Sequence, residues 1–342
     1  MKFEAATIKD IAKALGLSTS TVSRALRDSY EISEHTKKKI RDYAAQINYR
    51  PNPVALSLKE KRTLSIGVVV SEIANTFFSQ VINGIESIAY NNGYNVIITQ
   101  SKESFDREQM ILDYLTSRSV DGLIISVSAE SKESGTLKQL HSRGLPIVFF
   151  DRVIEDIPTY KVITDNFAGV YSATRHLIKN KYKRIGVIAN NANLSITKDR
   201  LAGYKKALTD HKMAINESLI KYCDHGGLDV EEVKNAVEQL LSLKKKPDAL
   251  VLLADKITTE TFRILKDKQI SMPGEIGIIG FNNSQYTSLF SPALSVISQP
   301  AFEMGEKAAA LLLSLIESKR VVTDFELVNL PTEVIIRESS QK

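Results

Sequence analysis

Pro51-Asn52-Pro53-Val54-Ala55-Leu56-Ser57-Leu58-Lys59 divides this chain into two unlike parts. Asn52 is suited to cap a helix, and Pro53 suits a first helical position, where its missing N–H would be unpaired anyway. Pro53 to Lys59 spans about two turns, well short of the ~12–15 residues that an isolated helix needs in water. Ordering each residue costs ~1–2 kcal/mol, and nothing within the segment offsets that. The stretch therefore reads as a helix that forms only when something else completes it. The other reading is a proline-punctuated linker.

Charge separates the two sides. Residues 1–62 hold 13 Lys/Arg against 7 Asp/Glu, whereas the remaining 280 residues hold 32 against 33. A small basic module on a near-neutral body is the footprint of a polyanion-binding protein. Charge alone does not separate this from a solvated basic surface. With 342 residues, 43% hydrophobic and 25% charged, the chain has the composition of a soluble globular protein with two or three cores. No run reaches 18 apolar residues, the N-terminus lacks a signal-peptide pattern, and one cysteine, Cys223, excludes an internal disulfide. These features together point to the cytoplasm.

To the left of the stretch, Thr7-Ile8-Lys9-Asp10 carries a capping-box arrangement, and Ile8, Ile11, Ala12 and Leu15 form one helical face. Gly16-Leu17-Ser18 is a tight turn. Ser18 caps a second helix over 19–26, with Val22, Ala25 and Leu26 inside and Thr19, Ser20, Ser23, Arg24 and Arg27 outside. Ser33 starts a third helix that buries Ile40, Tyr43, Ala44 and Ile47. Two helices joined by a short Gly turn match helix-turn-helix geometry. An outer face of short hydroxyls and arginine suits phosphate and base contacts in a major groove.

To the right, apolar strand runs alternate with amphipathic helices, first over 64–164 and again from 184 onward. Such alternation predicts parallel sheets covered on both faces, in two similar α/β lobes. Two doubly wound lobes place a ligand cleft at the carboxyl ends of their strands. Enzyme chemistry finds no support. Ser71-Glu72-Ile73-Ala74-Asn75-Thr76 after the first strand has no glycine, so neither a dinucleotide fingerprint nor a P-loop is present there. His35, His141, His176, His211 and His225 show no metal spacing, Cys223 reads as a buried strand residue, and no cofactor is expected.

Thr7-Ile8-Lys9-Asp10-Ile11-Ala12, Val22-Ser23-Arg24-Ala25-Leu26, Asn48-Tyr49-Arg50-Pro51-Asn52 and Ala55-x-Ser57-Leu58 resemble the lactose- and purine-repressor (LacI/GalR) family of bacterial transcription regulators. The resemblance implies an N-terminal all-α helix-turn-helix DNA-binding domain (1–50) and a hinge helix with linker (51–62). It implies an α/β body with the periplasmic-binding-protein fold: lobe 1 over 63–164 plus 298–321, lobe 2 over 165–297 plus 322–342. The crossings between lobes would lie near Asp165-Asn166, Val296-Ile297-Ser298 and Val321-Val322-Thr323. The implied function is that of a sequence-specific regulator, expected to be a repressor. It would be a homodimer on a palindromic double-stranded DNA operator, allosterically controlled by a small-molecule effector, and not an enzyme.

By the same resemblance Thr19, Ser20 and Arg24 read bases, Thr21 and Ser23 lie nearer the backbone, and Thr7 and Ser18 complete this DNA-facing set. In the hinge, Leu58 is the wedge into a minor groove, Val54 meets its partner helix, and Ala55 and Lys59 join the DNA contacts. Candidate effector-binding residues at strand ends are Asn75, Phe77, Phe78, Asp151, Asp165, Arg200, Asp255 and Asn282. Each also has a structural reading, as a loop cap or as core. Aromatic faces with amides, carboxylates and an arginine suit a polyhydroxylated ligand. Asn282 stands where the family usually carries a carboxylate. Leu194 and Ile196 stand where the purine-responsive relative has polar contacts, which disfavours purine. A sugar, sugar acid or sugar phosphate fits.

Overall fold

A computed structural model describes residues 6–50, 62–131 and 135–342. The segment expected to form the hinge helix, with Val54, Ala55, Leu58 and Lys59, lies outside the described residues. The chain divides into two compact units, Met1–Thr63 and Leu64–Lys342.

The first unit packs α1 (Ile8–Leu15), α2 (Thr19–Leu26) and α3 (Glu34–Gln46) around Ile11, Ala12, Val22, Ala25, Ile40 and Ala44. The expected capping box forms: Asp10 N–H donates to Thr7 Oγ1, and Thr7 N–H donates to Asp10 Oδ2 at 2.8 Å. Gly16 ends α1 at φ 64°, a left-handed conformation that glycine adopts at little cost. Ser18 and Ser33 cap the next two helices through the backbone N–H of Thr21 and Thr36.

The second unit holds two six-stranded sheets. Lobe 1 contains β1 (Ser65–Val70), β2 (Asn95–Gln100), β3 (Gly122–Ile125), β4 (Ile147–Phe150) and β5 (Lys161–Thr164), with α4 (Thr76–Asn91), α5 (Phe105–Ser117) and α6 (Gly135–Ser142) between them. Lobe 2 contains β6 (Ile185–Asn190), β7 (Ile220–Cys223), β8 (Ala249–Leu252), β9 (Gly277–Phe281) and β10 (Ser295–Ser298). Its helices are α7 (Asn166–Lys179), α8 (Ser195–Asp210), α9 (Val230–Leu241) and α10 (Asp255–Asp267). The chain then returns to lobe 1 as α11 (Ala301–Glu317) and β11 (Leu327–Leu330), and ends in lobe 2 with β12 (Glu333–Ile335). The sheet orders are β11-β5-β4-β3-β1-β2 and β12-β10-β9-β8-β6-β7.

Alternate residues of one strand feed opposite layers, the period-2 consequence of the pleat. Val68 and Val70 face α4 and α11, while Val69 faces the α5 and α6 side. In lobe 2, Ile188 joins the α9/α10 layer, and Val187 and Ala189 join the α7/α8 layer. Helices α4 and α11 approach so closely that a Cβ on Gly84 would lie 2.1 Å from Phe302 O, and one on Gly305 would lie 2.1 Å from Val81 O.

Two boundaries differ from expectation. Val296 to Ser298 is strand β10, parallel to β9 and antiparallel to β12, so that crossing falls on Gln299 and Pro300. Residues 322–330 do not join lobe 2, because β11 pairs in parallel with β5 of lobe 1. The last crossing therefore follows Leu330. An edge strand is assigned by the partner whose backbone groups it satisfies, and that partner lies more than 160 residues upstream. Among the described residues no helix is long and apolar enough to cross a membrane.

Candidate functional site

Two polar surfaces stand out. The first is the outer face of α2. Thr19, Ser20 and Arg24 are exposed, and Thr21 and Ser23 are half-buried. Ser18 Oγ lies 2.7 Å from Ser20 Oγ and 2.8 Å from Thr21 Oγ1, so local hydroxyls hold one another around the start of the helix. Thr7 is exposed and engaged in its capping box. Arg24 Nη1 donates to Glu31 Oε2 at 2.6 Å, with the two side chains 59% and 45% exposed. An exposed pair of this kind is worth ~0–1 kcal/mol, so it does not hold Arg24 away from a stronger partner.

The second surface is the cleft between the lobes of the second unit, at the carboxyl ends of the strands. It encloses a cavity of about 50 Å3. Asn75, Phe77, Phe78, Asp151, Arg200 and Asp255, all expected from sequence, line it. Asn75 also caps α4, accepting from Phe77 N–H at 2.9 Å. The Phe77 ring meets Phe78 edge-on at 5.1 Å, and Phe78 meets Phe150 at 6.1 Å, so an apolar wall backs the cavity.

Two expected residues lie off the wall. Asp165 spends its carboxylate on capping α7, accepting from Ala168 N–H at 2.9 Å. Asn282 lines an adjoining cavity that shares Asn75 and Asp255 with the first, and donates from Nδ2 to Asp255 Oδ1 at 3.1 Å. Asn283 N–H reaches the other oxygen at 3.4 Å. Burial pushes the Asp255 carboxyl up to about 6. The Asn283 N–H and Lys256 oppose that rise, and Glu72 adds to it.

Arginines organise the rest. Arg200 is buried and donates from Nε to Asn166 Oδ1 (2.7 Å) and from Nη1 to Leu253 O (2.6 Å), with its guanidinium 3.6 Å from the Phe281 ring centre. Burial pulls its pKa down to about 10, against the opposing pull of Asp151. Arg152 forms a buried two-point pair with Glu103, at 2.5 and 2.9 Å. Its Nε has no hydrogen-bond partner, and neither has Asp151 Oδ1. Burial raises the Asp151 carboxyl above the ordinary range despite Arg200 and Arg152. Two buried polar atoms left open beside an aromatic wall are what a small hydroxylated ligand would satisfy.

Glu72, Glu103, Lys256 and Gln299 also line the cavity and were not expected. Glu72 follows β1 by two residues and Glu103 follows β2 by three, so the strand-end rule that gave Asn75 could have found both. Glu72 of lobe 1 takes Lys102 of its own lobe at 3.2 Å and Lys256 of lobe 2 at 2.8 Å. Gln80 and Asn283 also join the lobes, with Asn283 Nδ2 donating to Gln80 Oε1 at 2.9 Å.

His225, Asp229 and Glu232, without metal spacing in the sequence, come together at the cleft rim. His225 Nδ1 lies 2.8 Å from Glu232 Oε1 and Nε2 lies 3.7 Å from Glu130 of the other lobe, while Asp229 caps α9. We read this group as a partly exposed ion pair. Cys223 is buried, and burial pushes its thiol up to about 12, so it carries no thiolate at neutral pH.

Comparison with known proteins adds to this geometry. The family described as "Periplasmic binding proteins and sugar binding domain of LacI family" matches residues 63–333, and that described as "Bacterial regulatory proteins, lacI family" matches residues 7–52. The HTH-type transcriptional repressor PurR of Actinobacillus pleuropneumoniae serotype 3 is 30% identical over 334 residues, covering 98% of each chain. The HTH-type transcriptional regulator RegA of Clostridium saccharobutylicum is 32% identical over 337 residues, covering 98% of this chain and 99% of its own. The Lac repressor dimer, solved with operator and the anti-inducer ONPF, shares the fold with a TM-score of 0.83 at 24% identity. That match covers 99% of this chain and all of that one.

Proposed function

The chain belongs to the LacI family of bacterial regulatory proteins, and from that premise we propose that it represses transcription as a homodimer on an operator, under control of a neutral polyhydroxylated effector. The observation that carries the DNA reading is α2. Its exposed Thr19, Ser20 and Arg24 follow a Gly turn and a capped N-terminus, the presentation that base-edge contacts in a major groove require. Thr7, Ser18, Thr21 and Ser23 then serve the phosphates. In the same reading residues 53–59 fold only with DNA and a partner subunit, Leu58 acting as the wedge and Val54, Ala55 and Lys59 supporting it. The protein acts where the DNA is, in the cytoplasm.

The dimer reading is supported by apolar surface on lobe 1. Strand β2 is an edge with Ile98 exposed, and Tyr90, Met110 and Tyr114 are exposed on α4 and α5. An open edge beside such a surface is usually covered.

Charge pairing in the cleft supports a neutral effector. Arg152 has Glu103 and Lys256 has Glu72, while Arg200 donates to the neutral Asn166 Oδ1 and Leu253 O. A sugar acid or sugar phosphate at Arg152 or Lys256 would have to displace the carboxylate from its cation. A neutral sugar needs only the open Asp151 Oδ1 and Arg152 Nε, the amides and the Phe77/Phe78 wall.

The test begins with an operator selected from random duplex DNA. Neutral sugars are screened by thermal shift, and hits are tested for their effect on operator binding. One sugar should raise the melting temperature and change operator affinity roughly five- to 150-fold, the usual range of allosteric coupling. Operator binding that no stabilising sugar alters would remove the effector assignment while leaving the DNA reading intact.

A further inference from the structure

Lys179-Asn180-Lys181-Tyr182-Lys183-Arg184 and Lys244-Lys245-Lys246-Pro247-Asp248 are two basic stretches of the body that take no part in the cleft. Together they hold seven Lys/Arg against one Asp, whereas the remaining 269 residues of the body hold 25 Lys/Arg against 32 Asp/Glu. The first stretch runs from the last residue of α7 into β6, and the second leads from the end of α9 into β8. Strands β6 and β8 pair in parallel from Ile185 and Ala249, so the two stretches enter the sheet side by side. Asp248 fastens them. Its carboxylate accepts from Lys183 N–H at 3.0 Å and from Arg184 N–H at 2.8 Å, and Arg184 Nε donates to Lys245 O at 2.6 Å. Lys342 Nζ lies 3.6 Å from the same carboxylate.

The lysines of both stretches are exposed, and among the described residues none of them has a carboxylate within 4.0 Å. Elsewhere on lobe 2 the surface cations are matched: Lys205 with Glu217, Lys206 with Asp210, Lys234 with Glu231, Lys268 with Glu238. Glu275, at the entry to β9, accepts from Ser271 N–H. Lysines gather at helix ends to complement the dipole, but that effect fades within the last turn. Helix α7 ends at Lys179 and α9 at Leu241, so the other basic residues lie past the reach of either dipole.

We propose that this amino end of the lobe 2 sheet binds the phosphate backbone of duplex DNA without reading its sequence, and that this duplex is a second one, distinct from the operator read by α2. Only the word second rests on the DNA reading above. Unpaired ammonium groups held side by side by the backbone present the positive charge that a phosphate row attracts. The rest of the body is net negative and would repel DNA, so contact is confined to this surface. A protein partner is disfavoured, because protein interfaces centre on aromatic and other apolar anchors and are depleted in lysine. Here Tyr182 and Pro247 are buried, and neither stretch exposes an apolar side chain. The position fits a second duplex. Leu64 leads into the amino end of β1 in lobe 1, and the lobes face each other at the carboxyl ends of their strands. The basic surface is therefore at the opposite pole of the body from the end where the chain enters it.

Full-length protein saturated with an immobilised operator duplex tests this by its capture of a labelled random-sequence duplex. With about four phosphates neutralised, capture should weaken about a hundredfold between 50 and 200 mM salt. Lys244→Ala, Lys245→Ala and Lys246→Ala combined should weaken it at least tenfold and leave operator affinity and melting temperature unchanged. Lys205→Ala with Lys206→Ala, which removes lysines already paired, should change it less than twofold. Lysine acetylation read by mass spectrometry should show Lys181, Lys183 and Lys244 to Lys246 protected by the random duplex and not by operator alone. Capture that survives the triple variant, or protection of these lysines by operator alone, overturns the second-duplex surface while the reading of α2 stands. Protection by polyglutamate but not by duplex assigns the surface to an acidic protein and also overturns the proposal. Protection by random duplex in a chain that binds no operator keeps this surface and removes the DNA reading of α2.

Discussion

The outer face of α2 and the interlobe cleft are both polar and are built on opposite principles. On α2 and the start of α1 the polar groups are exposed or half-buried and the bonds are local: Ser18 with Thr21, Thr7 with Asp10, Arg24 with Glu31. In the cleft the groups are buried, apart from the partly exposed Lys256, and the bonds span long stretches of chain: Glu103 with Arg152, Asn166 with Arg200, Glu72 with Lys256. Water competes for every contact on the first surface and for almost none on the second. Changes on α2 should therefore alter binding and spare the fold. Changes in the cleft should strike the fold whether or not a ligand is present.

The largest effect is expected at Glu103. Glu103→Ala leaves the Arg152 guanidinium buried beside an empty partner position, and breaking a buried pair this way costs ~3–5 kcal/mol. Urea unfolding of the apo-protein would show it as a lowered midpoint. A loss no greater than that of Arg24→Ala would show that the Glu103–Arg152 pair is as solvent-screened as the pair on α2.

Asp255 should show the same burial through pH. Its folded pKa of about 6 lies above the ordinary 3.8, so between these values the folded state holds the proton more tightly than the unfolded chain. The stability this gives is full below about pH 4 and is lost as pH rises through 6. Asp255→Asn removes the dependence. The melting temperature of the variant relative to wild type should therefore rise from pH 4 to pH 7, by a free energy on the order of 3 kcal/mol. A flat difference would place Asp255 in water.

Arg24→Ala is the counterpart on the exposed side. Specific operator binding should weaken by ~1–3 kcal/mol with relaxed sequence preference. Unfolding stability should change by less than ~1 kcal/mol, because the lost ion pair with Glu31 is solvent-screened. An equal loss on random DNA would reassign Arg24 to phosphate contact, and a large loss of stability would contradict the division between the two surfaces.

Legibility in the sequence follows the same division. The capping box at Thr7 and Asp10, the left-handed Gly16 and the cap at Ser18 are signals within four residues, and each is realised as read. Helices α8 and α10 start at Ser195 and Asp255. Their preceding residues, Leu194 and Ala254, make no side-chain cap, so no start signal was there to read. Those starts put Arg200 inside a helix, buried, and Asp255 in the first turn of one, half-buried. Asp165 could be a cleft residue or a cap by sequence, and only the position of the Ala168 N–H settles that it caps.

The elements and their faces are written locally in the chain: three basic-module helices, then two rounds of strand and helix whose apolar residues repeat with period 2 or 3.6. Those signals are local because they arise from backbone geometry, which every residue carries with it. Long-range packing put β11 in the sheet of lobe 1, Glu72 against Lys256 and Glu103 against Arg152. A buried charge takes whichever partner the fold brings within reach, and its desolvation makes that partner indispensable.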